Sequence, residues 1–248
     1  LMIFSILILL GGIGFPVIFE LYHRYLLGDR SRLKLQTRMA LFVTMFLVVL
    51  GLVVIYFQSI FSVSMPISEA LFHSVSSRTA GFSLQDIASY SASSLWFILL
   101  LMFIGASPGS TGGGIKTTTF GLLIVSLFNT IRGHDRVHVF DRHVKSNLVF
   151  KALAILTMSF FIIFFAFFVL LITEPQIEFF PLLFEVVSAF ATVGFSLGIT
   201  ADLSNVGKVI VIALMFFGRV GPLTFAVALT RKPKPINYKL PDETILLG

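Results

Sequence analysis

Residues 160–172 read FFIIFFAFFVLLI, inside a stretch, 150–173, whose one charged residue is Lys151. A helix crossing the hydrocarbon core of a bilayer needs about 20 consecutive, mostly apolar residues, and this stretch meets that length. Comparable stretches occur at 1–22, 38–60, 93–130 and 203–230. None alternates with period two, so the ~10-residue alternating segments of a membrane β-barrel are missing. The α-helix is then the structure that satisfies backbone groups in lipid. Composition agrees: 12% of the residues are charged, against about 25% in soluble domains. The expected fold class is an all-α integral membrane protein. The first apolar stretch begins at residue 1 without a basic flank or cleavage site, so it reads as part of a fragment rather than a signal peptide. The chain has no cysteine, which excludes a disulfide framework and thiol chemistry.

Charge placement orients the spans. Segments 23–38, 131–151 and 231–248 hold most of the 18 basic residues: Arg24, Arg30, Arg32, Lys34 and Arg38, then Arg132, Arg136, Arg142, Lys145 and Lys151, then Arg231, Lys232, Lys234 and Lys239. Segments 61–92 and 174–202 carry Arg78 alone, against Glu69, Asp86, Glu174, Glu178, Glu185 and Asp202. The positive-inside bias puts the first set in the cytoplasm and the second outside, giving a multi-pass protein with a cytoplasmic C-terminus. In a membrane protein this distribution, rather than the net charge of +6, is what matters, and nucleic acid is not an expected partner.

That orientation exposes an internal repeat. Span 38–60, loop 61–92 and span 93–130 form one unit, and 150–173, 174–202 and 203–230 form a second in the same orientation. Their outer loops share an interior, ISEALFHSVSSRTAGFS at 67–83 and PLLFEVVSAFATVGFS at 181–196. Thr79 aligns with Thr192, Gly81 with Gly194, and Phe82-Ser83 with Phe195-Ser196. The apolar stretches 66–77 and 178–190 are too short to cross at 1.5 Å rise per residue. Each reads as a half-crossing helix followed by a re-entrant loop, because non-helical backbone at membrane depth persists only when buried in protein or lining a wet cavity. In such a loop, backbone carbonyls can replace the hydration shell of a cation. The expected ion-binding backbone is Ser77, Arg78, Thr79, Ala80 and Gly81, with Ala191, Thr192, Val193 and Gly194. Thr192-Val193-Gly194-Phe195 differs by one hydroxyl from the Thr-Val-Gly-Tyr of potassium-channel filters. The alternative is a pair of extracellular helix–turn connections that hold no ion.

Span 93–130 would be about 57 Å long as one helix, well beyond a core of about 30 Å. The stretch Gly105, Ala106, Ser107, Pro108, Gly109, Ser110, Thr111, Gly112, Gly113, Gly114 supplies the break, since proline and clustered glycines cannot hold a helix. An unwound segment following a pore loop lies beside an ion path and is the expected gate. GSTGGGIKT approaches a phosphate-binding loop, but Ile115 separates Gly114 from Lys116 and no strand precedes it. Two cations lie within apolar surroundings, Lys116 and Arg219, and buried cations face a bundle interior or cavity. Arg219 reads as a pore-facing charge setting the barrier beneath the filter, or as a partner for helix-end carbonyls or a carboxylate. Span 1–22 has its own break at GGIGFP and runs from outside to inside, like the second helix of a unit whose first helix and pore loop are absent.

A membrane enzyme would need an acid–base or nucleophile–base set within the spans. These offer Glu20 near one end and no deep histidine, so no catalytic residue is expected. His134, Asp135, His138, Asp141 and His143 cluster in RGHDRVHVFDRH, which reads as a basic loop beside the headgroups or a docking point for a regulatory partner.

With these residues in view, the chain resembles the Trk/Ktr/HKT superfamily of potassium transporters, most closely its KtrB-type bacterial pore subunits. The carriers are SSRTAGFS, ATVGFSLG, GASPGSTGGGIKTTTF, GGIGFPVIFE and FFGRVGPLTF, spread over nearly the whole chain. The resemblance implies four helix–pore–helix units around one pore, as in potassium channels. This chain would cover the second helix of an incomplete unit (1–37), two units (38–149 and 150–230), and a cytoplasmic tail (231–248). It implies filter glycines at Gly81 and Gly194, an intramembrane gate at 105–114 with Lys116 and Arg219, and potassium uptake, passive or sodium-assisted. It also implies a homodimer gated by a cytosolic nucleotide-binding ring of the KtrA type, set among membrane lipids in a bacterial cell membrane. The only metal implied is potassium at the filter carbonyls, and no covalently bound cofactor. Ser83 and Ser196 stand where channel filters have a second glycine, which loosens the expectation of strict potassium-over-sodium selection. Arg78 beside a cation filter must turn from the axis, towards Glu69 or Glu185.

Overall fold

The computed structural model describes residues 1–28, 31–61, 65–134, 136–222 and 224. Arg30, Asp135 and the basic tail with Arg231, Lys232, Lys234 and Lys239 lie outside the described residues, as does the end of span 203–230.

Nine α-helices, two short 3-10 turns (Ile87–Ser89 and Ile199–Ala201) and one short hairpin are the regular elements of the described residues. Helix α1 (Met2–Ile13) and α2 (Phe15–Tyr25) meet at Gly14 with a bend of 100°. Pro16, near the start of α2, lacks a donor that the first turn does not need. Helix α3 (Leu35–Phe61) follows, then the half-length α4 (Ile67–Ser76), α5 (Ala92–Phe103) and α6 (Thr117–Ile131). After the hairpin come α7 (Ser146–Thr173), α8 (Phe179–Ala191) and α9 (Asn205–Val220). Helices α3 and α7 are long and apolar enough to cross a membrane, and α1 with α2 adds a third span if the bent pair is one. On α7, Phe160, Phe161, Phe164, Phe165 and Phe168 are exposed, as a lipid-facing surface should be.

The two units of the repeat share an order of elements, a long helix, a half-length helix and a second limb. In the first, α4 packs on α3, and α5 and α6 form the second limb; in the second, α8 packs on α7 and α9. Helix α5 touches α8, where Trp96 meets Phe180 at 5.1 Å between ring centroids. Helices α4 and α8, with 10 and 13 residues, rise only about 15 and 20 Å. Both are buried along most of their length, with Phe184, Phe190, Leu182 and His73 fully enclosed. Tight helix contacts depend on glycine: a Cβ at Gly218 would lie 1.6 Å from the Phe190 carbonyl oxygen.

The break in span 93–130 falls between α5 and α6, bridged by a parallel pairing of Ile104 with Ile115. One element is not visible in the sequence reading: RGHDRVHVFDRH contains a hairpin, β1 (His138–Val139) against β2 (Arg142–His143). Its turn places Phe140 in the left-handed region, φ 50°, under the Arg38 guanidinium at 4.5 Å. Among the described residues no group of three or more His, Asp or Glu could hold a metal.

Candidate functional site: two paired loops over a glycine-rich segment

The residues after α4 and after α8 share a left-handed backbone at two aligned positions. Thr79 and Thr192 have φ of 75° and 54°, and Gly81 and Gly194 have φ of 70° and 97°. The glycines were expected to accept this region freely. A β-branched threonine there is a genuine outlier, and finding it twice at aligned positions marks a constrained geometry.

The constraint is visible in the amides. Ala80 and Gly81 donate to the Ser76 carbonyl, at 3.1 Å each; Val193 donates to the Ser188 carbonyl at 2.9 Å, and Gly194 to its Oγ at 3.2 Å. Each loop thus turns its N–H groups back onto the end of its own half-length helix. No hydrogen bond among the described residues reaches the carbonyl oxygens of Thr79, Ala80, Gly81, Thr192, Val193 or Gly194. Of these residues Val193 is buried, and buried backbone carbonyls are otherwise nearly all paired. The two loops also touch: a Cβ on Gly81 would lie 2.1 Å from the Val193 oxygen.

Against the threonines of both loops lies the glycine-rich segment 105–114. A Cβ on Gly112 would sit 2.2 Å from Thr79 Oγ1, and one on Gly113 would sit 2.4 Å from Thr192 Oγ1. Only glycine permits this approach. The segment is not a slack linker. Ser107 N donates to Gly12 O at 2.9 Å, Thr111 N to Gly11 O at 3.3 Å, and Phe15 N to Gly109 O at 3.0 Å. The elbow between α1 and α2 therefore cradles it, with Gly14 (φ 93°) so close that a Cβ would meet the Pro108 oxygen at 2.5 Å. Ser107 Oγ and Thr117 Oγ1, 2.8 Å apart, close the base.

Three cations converge on the same segment. Lys116 Nζ donates to the Gly112 carbonyl at 2.5 Å, and Arg219 donates to the carbonyl of the adjacent Thr111. Arg78 donates to Gly105 O at 3.2 Å and Thr44 O at 3.3 Å. The expectation that Arg78 reaches Glu69 or Glu185 is therefore corrected. Glu69 lies 3.9 Å from His73 Nε2, and Glu185 accepts from Thr200 Oγ1 at 2.7 Å. Two of the guanidinium nitrogens thus sit on backbone carbonyls, one in helix α3 and one in the glycine-rich segment, while the buried Nε has no partner among the described residues. For Arg219 the acceptor is a carbonyl of the glycine-rich loop, neither a helix-end carbonyl nor a carboxylate. Sequence reasoning found the three cations one at a time; it marked a break at GGIGFP but not the contact of Gly11, Gly12, Gly14 and Phe15 with segment 105–114. The clustered glycines before Pro16 were the one signal for them.

Residues 1–239 match the family described as TrkH, cation transport protein. The chain is 40% identical to Ktr system potassium uptake protein D of Bacillus subtilis, over 98% of this chain and 56% of that protein. It is 36% identical to Ktr system potassium uptake protein B of the same organism, over 100% of this chain and again 56% of that protein. The chain thus spans about half the length of these relatives. Among solved structures, the potassium transporter TrkH of Vibrio parahaemolyticus matches with a TM-score of 0.76 at 19% identity, over 91% of this chain and 51% of that one. That likeness is one of fold.

Proposed function

The chain belongs to the TrkH family of cation transport proteins, a family of transporters and not of enzymes, and from that premise we propose that it forms half of a potassium-uptake pore. The ion sites are the backbone carbonyls of Ser77 to Gly81 and of Ala191 to Gly194, on re-entrant loops in a ring of four, two supplied by this chain. A potassium ion sheds water there because fixed carbonyl oxygens take the place of its hydration shell, with no covalent chemistry. Segment 105–114 is the gate. Its contact with Thr79 and Thr192 stops the path below the ion sites, and Lys116 and Arg219 hold it there while adding positive charge against a cation.

The observation that carries this reading is the pairing of tied amides with unengaged carbonyls on two touching loops. Orientation follows the charge bias, with basic loops in the cytoplasm of a bacterial cell. The domain limits are 1–37, 38–149, 150–230 and 231–248. A homodimer regulated by a KtrA-type cytosolic nucleotide-binding ring completes the proposal. Ser83 and Ser196, in place of a second filter glycine, favour partial admission of sodium or sodium assistance.

The test is Gly194→Ser. Nothing lies within 4 Å of a Cβ at this position, so the effect acts through φ 97°, which costs an L-residue roughly 1–2 kcal/mol. Relaxing that strain swings the neighbouring carbonyls. The potassium-over-sodium uptake ratio should fall several-fold in a protein that still folds; an unchanged ratio rejects the assignment.

A further inference from the structure

Next to the elbow, a cavity of about 530 Å³ opens between α2 and residues 31–34. This is within the span of about 300–1,000 Å³ typical of small-ligand pockets. Its wall on α2 is aromatic: Phe15 and Phe19 project into it, 71% and 52% exposed. Its rim is cationic, formed by Arg24, Arg32 and Lys34. Glu20 is the one carboxylate in the lining, and both its oxygens are committed. Oε1 accepts from Lys34 N at 2.5 Å and Oε2 from Thr37 Oγ1 at 2.6 Å. Arg24 spends one donor on the Ser31 carbonyl at 2.5 Å. No carboxylate among the described residues forms an ion pair with Arg24, Arg32 or Lys34.

We propose that this cavity binds the headgroup of an anionic phospholipid, phosphate against Arg24, Arg32 and Lys34 and glycerol backbone against Phe15 and Phe19. The occupant follows from charge and place. Three cations that no described carboxylate pairs suit an anion with several acceptor oxygens, and guanidinium takes phosphate bidentately. The aromatic wall calls for an amphiphile. The basic loop lies where the charge bias puts the inner membrane surface, and basic pockets between helices on that side suit anionic headgroups.

The site also bears on the gate, and here the inference rests on the gate reading above. Helix α2 is tied at its middle to α3 through Glu20 and at its near end to the gate through Phe15 N and Gly109 O. A headgroup lodged between α2 and residues 31–34 fixes the tilt of α2, and with it the height of segment 105–114.

The purified protein in detergent is mixed with phosphatidylglycerol or phosphatidylcholine, and retained lipid is counted by native mass spectrometry. Wild type should retain phosphatidylglycerol selectively. The combined Arg24→Gln, Arg32→Gln, Lys34→Gln variant should bind it about a hundredfold more weakly, since each cation near an anionic surface contributes about a factor of five. Arg24→Lys with Lys34→Arg keeps the charge and should keep the selectivity, which separates lost charge from misfolding. Equal retention of the two lipids, or undiminished retention by the neutralised variant, overturns the site. Displacement of phosphatidylglycerol by millimolar inorganic phosphate with no preference between lipids also overturns it, in favour of a soluble anion. In liposomes, adding phosphatidylglycerol should change basal rubidium flux several-fold for wild type and not for the neutralised variant. Selective retention with unaltered flux overturns the lever, while the gate keeps its own tests.

Discussion

Arg219→Ala removes the donor that α9 extends to Thr111 O. A hydrogen bond from a charged donor contributes about 1.5–3 kcal/mol net. Arg219 is exposed, and exposure discounts its share to about 1 kcal/mol. If the bond exists only with the gate seated, its loss shifts the seated-to-released equilibrium by that amount, a factor of about five. Basal rubidium flux in liposomes should therefore rise about fivefold from a mostly closed start. Because the chain contains no cysteine, a single Ser110→Cys reports the same equilibrium by its rate of modification with a thiosulfonate reagent, which should rise by a similar factor. Arg219→Lys, which keeps a cationic donor, should restore most of both values. Lys116 holds the next carbonyl, Gly112 O, so Arg219→Ala and Lys116→Gln should combine non-additively, as changes sharing a partner do. A lowered melting temperature with flux and modification rate unchanged would refute the reasoning and leave Arg219 a purely structural residue.

Deleting residues 107–112 should raise basal flux without unfolding the protein. Gly105 and Gly113 are already in contact, a Cβ on Gly105 falling 1.9 Å from the Gly113 oxygen, so the shortened loop can close; loss of flux in a folded protein would show that the segment is not a gate. Gly14→Ala places a Cβ 2.5 Å from the Pro108 oxygen at φ 93° and should unseat the segment from the far side, raising flux and Ser110→Cys modification together. Unaltered values for both would show that the elbow does not position the gate.

Much of this architecture was legible in sequence because its signals are local. Length and hydropathy mark α3 and α7, the repeated Thr-x-Gly-Phe-Ser marks two equivalent loops, and the glycine-rich segment falls where a helix of 38 positions could not continue. What stayed hidden is contact between distant segments. Thr111 N meets Gly11 O and Arg219 meets Thr111 O across about a hundred positions, and no spacing rule links such residues. Arg78 was misread for the same reason: residue type suggested a carboxylate partner, whereas the fold brings the Gly105 and Thr44 carbonyls to it. The hairpin around Phe140 was missed because two-residue strands carry too little period-two pattern to register.

The most direct measurement is anomalous diffraction from crystals of the protein grown with thallium in place of potassium. The account predicts a peak in direct coordination with carbonyl oxygens of Thr79 to Gly81 and Thr192 to Gly194, on the side of the threonines away from Gly112 and Gly113. Saturating thallium that leaves those oxygens bare, or gathers only at the acidic outer residues, would contradict it.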